Sequence, residues 1–185
     1  IPRMIWVPKV VTGVENDDLK PILAGLKDVG LLTRMSSNEY AFASDLVRDV
    51  VYDGIILSDR RDIHGAIARA IEDIYAEHLD EFVERLAIHY REGGERSKAV
   101  NYLIRAGEKV AADYSHQAAL EYYMKALELL QNVPRPDLAR ILSVYLPIGE
   151  LAIKTNDYRL GIKKMRLAEE LAEEVGDRRS LIKIM

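Results

Sequence analysis

The sequence predicts a mostly α-helical chain in two parts: a small mixed domain with one β-hairpin, then a superhelix of stacked α-helical hairpins. Three observations carry this reading. From Asp45 onward apolar residues recur with helical period, and only short, turn-rich breaks interrupt them. Before Asp45, two short apolar runs flank a Ser-Ser-Asn turn. Beneath the helical part lies a pattern of small and large residues repeated at a shift of 42 positions.

The elements follow in order. Residues 3–13 read as a damaged or truncated first helix. In "ENDDLKPILAGLKDVG", Asn16 or Asp17 is placed to cap a helix whose apolar Leu19, Ile22, Leu23 and Leu26 share one face, and Gly30 stands at the C-cap. "LLTRM-SSN-EYAFAS" reads as the hairpin. Helix, helix, hairpin is the order of a small winged-helix domain, assigned to residues 1–57 with its N-terminus cut. Helices are then expected at about 45–56, 59–77, 79–92, 96–113, 116–131, 137–154 and 157–175, with a last one from near Arg178. The breaks are "REGGE", "DYSH", "NVPRPD", "KTND" and "EVGD". Such short connections force antiparallel neighbours. Residues 58–95 are read as a linking helical hairpin and 96–185 as the repeats. Pro147 is expected to kink its helix or to mark a late start.

Within the repeats, Gly107, Ala119, Tyr123 and Ala126 are matched 42 residues later by Gly149, Gly161, Met165 and Ala168. Small residues allow two helices to approach closely, and a large one fills the gap between hairpins. The spacing resembles the tetratricopeptide repeat, whose usual period is about 34; the longer period is that of its extended-helix variety. The resemblance implies a right-handed superhelix.

Composition narrows the function. The net charge of −4 argues against a nucleic-acid binder. The absence of cysteine excludes disulfides, thiolate metal sites and a cysteine nucleophile. No apolar run is long enough to span a bilayer, and the start lacks the features of a signal peptide. The chain opens without Met in an apolar segment and stops mid-pattern at "LIKIM", so both ends are expected to continue. His64, His78, His89 and His116 form no close pair, so no metal site is expected. No nucleophile, acid/base or metal motif stands out, and the chain is expected to be non-catalytic.

The middle of the chain carries a second resemblance. Phe42 and Leu46, then Arg48-Asp49-Val50 with Tyr52, then Arg61 with His64 and Glu72 on the next helix, follow a recurring pattern. Leu86-Ala87 with His89-Tyr90, then Ala99, Tyr102-Leu103 and Ala106-Gly107, continue it. This resembles the region behind the ATPase module of STAND-type signalling ATPases, found with class III adenylate/guanylate cyclases, kinases and transcriptional regulators. The match covers about residues 15–131, and the remainder agrees by repeat type alone. The resemblance implies a cytoplasmic regulatory arm, with ATP or ADP and Mg held only by an upstream module. It also implies that a histidine of the winged helix faces the β-phosphate of ADP. Ser44 stands where that histidine is usual; a hydroxyl donates to phosphate but is short and uncharged. Ser44 and Asp45 are thus the sensor-like positions, and equally the N-cap of the helix that follows. The chain has no G-x-x-x-x-G-K-[ST] loop of its own.

Two binding modes remain. A winged helix can read DNA, but residues 1–58 hold six Lys/Arg against eight Asp/Glu, which opposes phosphate contacts. Stacked hairpins instead line a concave face with the first helix of each pair. Its exposed positions are expected to be Asn101, Ile104, Arg105 and Glu108, then Ser143, Leu146, Glu150 and Lys154. The expected partner is a protein, either separate or the parent's own ATPase module. The Ile104/Glu108 and Leu146/Glu150 positions do not supply the Lys and Asn that clamp a C-terminal carboxylate. A stand-alone scaffold is the rival reading, and the serine at position 44 favours it.

Overall fold

The computed structural model describes residues 4–5, 16–36 and 40–184. It divides into two units, residues 1–77 and 78–185. The fold is mostly helical with a small antiparallel sheet.

The first unit contains β1 (Met4–Ile5), α1 (Asn16–Asp28), β2 (Leu32–Arg34), β3 (Tyr40–Phe42), α2 (Asp45–Gly54) and α3 (Leu57–Ile74). The expected hairpin is present: Leu32 pairs with Phe42, Thr33 with Ala41 and Arg34 with Tyr40. Leu32 and Ala41 are both buried. Strand β1 adds to the other side of β3, with Met4 opposite Ala41 and Ile5 opposite Tyr40, giving the order β1-β3-β2. This corrects the helix expected over residues 3–13 at Met4 and Ile5, which are extended; the rest of that stretch lies outside the described residues. A two-residue strand takes its backbone partners from a segment 35 positions away or more, so local periodicity cannot reveal it.

Helix α1 ends as its glycine foretells. Gly30 sits at φ +77, its N–H donates to the Lys27 carbonyl at 2.9 Å, and the Leu31 N–H donates to the Leu26 carbonyl at 3.0 Å. At the corner between α2 and α3, Arg60 donates to the carbonyls of Asp53 and Ile55, both at 2.8 Å. Its guanidinium lies 4.6 Å from the Tyr52 ring centroid. One arginine thereby satisfies carbonyls that the end of α2 would leave without helical partners. The Tyr52 hydroxyl is hydrogen-bonded to His64 Nε2 at 3.0 Å.

In the second unit α4 (Val83–Glu92), α5 (Arg96–Ala112), α6 (His116–Gln131), α7 (Leu138–Lys154), α8 (Tyr158–Val175) and α9 (Arg178–Ile184) follow one another, each packed on the next. The connectors are two to six residues long. Helix α4 starts later than the expected 79–92, because a 3₁₀ segment, Ala76–Glu81, precedes it and His78 within that segment is non-helical at φ −130. Helix α7 runs from Leu138 through Pro147 without a break, so Pro147 does not mark a late start.

Four of these helices stop in the same way. Gly94, Tyr114, Asn156 and Gly176 each adopt positive φ. The next N–H in each case (Glu95, Ser115, Asp157, Asp177) reaches back to a carbonyl five residues earlier, at 2.8 to 3.0 Å. This is the left-handed cap that satisfies a helix's last carbonyls. Two caps are followed at once by an aspartate whose carboxylate starts the next helix, Asp157 accepting from Leu160 N–H and Asp177 from Ser180 N–H.

The 42-residue pattern has a physical counterpart. A Cβ on Gly107 would lie 2.9 Å from the Tyr123 ring, and one on Gly149 would lie 2.9 Å from Met165 Cγ. The large residue fills the space inside each pair, α5 with α6 and α7 with α8, which corrects the expectation that it fills the gap between hairpins. Ala119, Ala126 and Ala168 are fully buried, and Gly161 is buried too. A Cβ on Gly161 would meet Ile153 at 2.7 Å and the Gly149 carbonyl oxygen at 3.2 Å. Further core comes from Tyr90 and Tyr102, stacked with centroids 5.5 Å apart and planes at 9°.

Candidate functional site

Two places deserve a chemical description, one in each unit. In the first, Ser44 has extended backbone (φ −151, ψ 163) and its Oγ accepts the Val47 N–H at 3.2 Å. It is the N-cap of α2. Asp45 lies in the first turn and accepts from Arg48 at 3.2 Å, while Arg48 also holds Asp49 at 2.7 Å. Hydrogen bonding to Asp49 raises the Arg48 pKa above its ordinary value. These two positions are therefore occupied with local capping and pairing.

In the second unit the sequence places eight residues on one face, and one side-chain hydrogen bond links α5 to α7 there. Arg140 Nη2 at the start of α7 donates to Asn101 Oδ1 on α5 at 2.5 Å. Arg105 donates to Asp80 at 2.6 Å and lies 5.4 Å from the Tyr102 ring centroid. Lys109 pairs with Glu84 of α4 at 3.4 Å. The Tyr122 hydroxyl, on α6, donates to the same carboxylate at 3.4 Å. Burial, and then Glu84 beside it, raise the Tyr122 pKa. Arg105, Lys109 and Arg140 thus link separate elements of the second unit. Asp80, Val83, Arg105, Glu108 and Lys109 surround an open depression of about 400 Å³.

The remaining expected positions divide by exposure. Ile104 and Leu146 are half-buried, while Ser143, Glu150 and Lys154 are exposed. Ser143 spends its hydroxyl on the Arg140 carbonyl at 2.7 Å. Glu108 and Glu150, equivalent by the 42-residue repeat, have no ion-pair partner among the described residues.

The sequence reading gave Tyr123 no chemical role. Its side chain is 5% exposed and its ring rests against Gly107. Burial first, and then Glu108 and Glu150, push its pKa up to about 12. The signal was present: Tyr123 is the large residue of the repeat, read there only as filler. Sequence reasoning also passed over a smaller depression of about 190 Å³ lined by Met124, Leu127, Glu128, Gln131, Asn132 and Lys164. There the Lys164 ammonium lies 4.8 Å from the Tyr145 ring centroid. Burial, aided by Lys163, lowers the Lys164 pKa.

No protein-family model matches the chain, and no curated protein matches it. Among the described residues no group of three or more His, Cys, Asp or Glu is placed to hold a metal ion. No described helix is long and apolar enough to cross a membrane.

Proposed function

We propose that this chain is a non-catalytic, protein-binding arm of a larger signalling ATPase. Its tetratricopeptide-like hairpins bind a protein partner or the parent's own ATPase module on the α5–α7 face, and its first unit acts as a winged helix. The observation that carries the reading is the duplicated contact, Gly107 under Tyr123 and Gly149 under Met165, at a separation of 42 residues. A repeated close approach of this kind is what a scaffold of stacked helix pairs requires, and such scaffolds serve as binding surfaces. The sheet order β1-β3-β2 beside α1 supports the winged-helix part.

A second reading, a stand-alone scaffold, draws on Ser44. Its hydroxyl serves as the cap of α2, so the sensor-like position needs no nucleotide to account for it. The coding sequence upstream of Ile1 separates the two. An in-frame G-x-x-x-x-G-K-[ST] loop is the expected result. A frame that opens immediately before Ile1, or carries only further helical repeats, overturns the ATPase reading and leaves the scaffold.

A further inference from the structure

The smaller depression, of about 190 Å³, takes its lining from α6 with its C-cap and from Lys164 of α8. Lys164 is half-buried, and its ammonium stands 4.8 Å from the Tyr145 ring centroid. That ring is 7% exposed, and its hydroxyl is held by Gln131 at 2.9 Å. A ring face attracts a cation but offers its N–H donors no strong acceptor. No carboxylate or other acceptor among the described residues meets those donors. Burial, and then neighbouring Lys163, weigh against the charge of Lys164.

The second charge of the depression is Glu128, exposed and also without an ion-pair partner among the described residues. Lys125, one turn earlier, lies instead 5.6 Å from the Tyr122 ring centroid. Lys164 and Glu128 thus border one depression without reaching ion-pair distance of each other. Met124, 38% exposed, and buried Leu127 add apolar surface to the same lining. An anion alone would be opposed by Glu128, and a cation alone by Lys164. A molecule that carries both charges answers both, and an apolar group on it covers Met124 and Leu127. The volume falls below the roughly 300 to 1,000 Å³ of pockets for drug-sized ligands, so the occupant is small.

We infer that this depression binds a free α-amino acid with an apolar side chain, its carboxylate on Lys164, its ammonium on Glu128 and its side chain over Met124 and Leu127. A bound amino acid bridges α6 to α8, the second helices of successive pairs. The site shares no lining residue with the α5–α7 face, so it stands or falls without the partner-binding reading of that face.

The test titrates the whole chain with leucine at low salt, where charges are least screened, and follows amide chemical shifts. Leucine is expected to shift the amides around Glu128 and Lys164 saturably, with a Kd of about 1 to 10 mM in keeping with its few atoms. Isocaproate lacks the ammonium and isoamylamine the carboxylate. Each is expected to bind at least about fivefold more weakly than leucine. Lys164→Gln and Glu128→Gln are each expected to weaken leucine by a similar factor, with circular dichroism unchanged. Absence of saturable shifts at those amides overturns the inference, as does leucine binding that survives both substitutions. Isocaproate or isoamylamine binding as tightly as leucine also overturns it, in favour of a site for a single charge. The analogue series uses the unaltered chain, so the test holds even where a variant fails to fold.

Discussion

The Tyr123 ring occupies the space that a Cβ on Gly107 would need, with the nearest ring carbons 2.9 and 3.0 Å from that position. Gly107→Ala must therefore move a buried aromatic ring. Alanine's helix propensity recovers up to about 1 kcal/mol, while overpacking a tight core costs about 1 to 3 kcal/mol. The expected net loss is about 1 kcal/mol by urea denaturation. The equivalent Gly149→Ala presses on Met165, a flexible side chain that can repack. It is expected to lie within about 0.5 kcal/mol of the parent. Equal losses at the two sites would mean that the ring is not what sets the cost.

Tyr114 and Asn156 occupy the same place in the repeat, and both have left-handed backbone, at φ 58 and 63. Asparagine tolerates that region and tyrosine does not, because its Cβ crowds the following carbonyl. The Tyr114 side chain is 85% exposed, so it returns little packing energy. Tyr114→Gly is expected to stabilise the chain by about 0.5 to 1 kcal/mol. Asn156→Gly is expected to gain nothing, since Asn156 also accepts a hydrogen bond from the Tyr158 hydroxyl at 3.1 Å. Thermal melts of both variants check this, and a destabilised Tyr114→Gly would show that the exposed ring contributes contacts.

The two hairpin tips also show what the sequence made legible. Helix ends at "DYSH" and "KTND" were readable because periodic apolar positions stop there, and the core glycines and alanines were readable as a repeat. Tyr114 itself gave no warning, since tyrosine is not a turn-forming signal and its conformation follows from the helix-stop geometry around it. "AEHLDEFVER" contains no glycine or proline, so the break expected at residue 78 lacked a marker for its bounds, and the 3₁₀ segment before Val83 went unread. Likewise the polar contacts of the second unit depend on how one helix registers against another. Arg105 with Asp80 and Arg140 with Asn101 join residues 25 and 39 apart, and no local pattern encodes such pairings. The sequence could place Glu108 and Glu150 on one face; only the fold showed that Tyr123 is buried against Gly107.

Ser44 offers a direct check on the first unit. Its Oγ accepts the Val47 N–H at the start of α2, which would otherwise lack a partner. Ser44→Ala is expected to cost about 1 kcal/mol of local stability, and Ser44→Asp to restore it. Amide hydrogen exchange across α2 reads this without requiring global unfolding. An unchanged exchange rate at Val47 in Ser44→Ala would show that the cap contributes nothing.

The last prediction concerns alkaline pH and isolates Tyr123. Its pKa stands at about 12 in the folded chain, raised by burial and by Glu108 and Glu150. In the unfolded chain a tyrosine titrates near 10. A group that holds its proton more tightly when folded stabilises the fold fully below the unfolded value. That contribution is lost as pH rises from about 10 towards 12, because the unfolded chain gives up the proton first. Between pH 9 and 11 the parent is therefore expected to lose about 1 kcal/mol more than Tyr123→Phe, which has no proton to release. Urea denaturation of the two chains at both pH values measures the difference. Parallel losses would mean that the Tyr123 hydroxyl meets water as an ordinary tyrosine does, and that the two glutamates do not act on it.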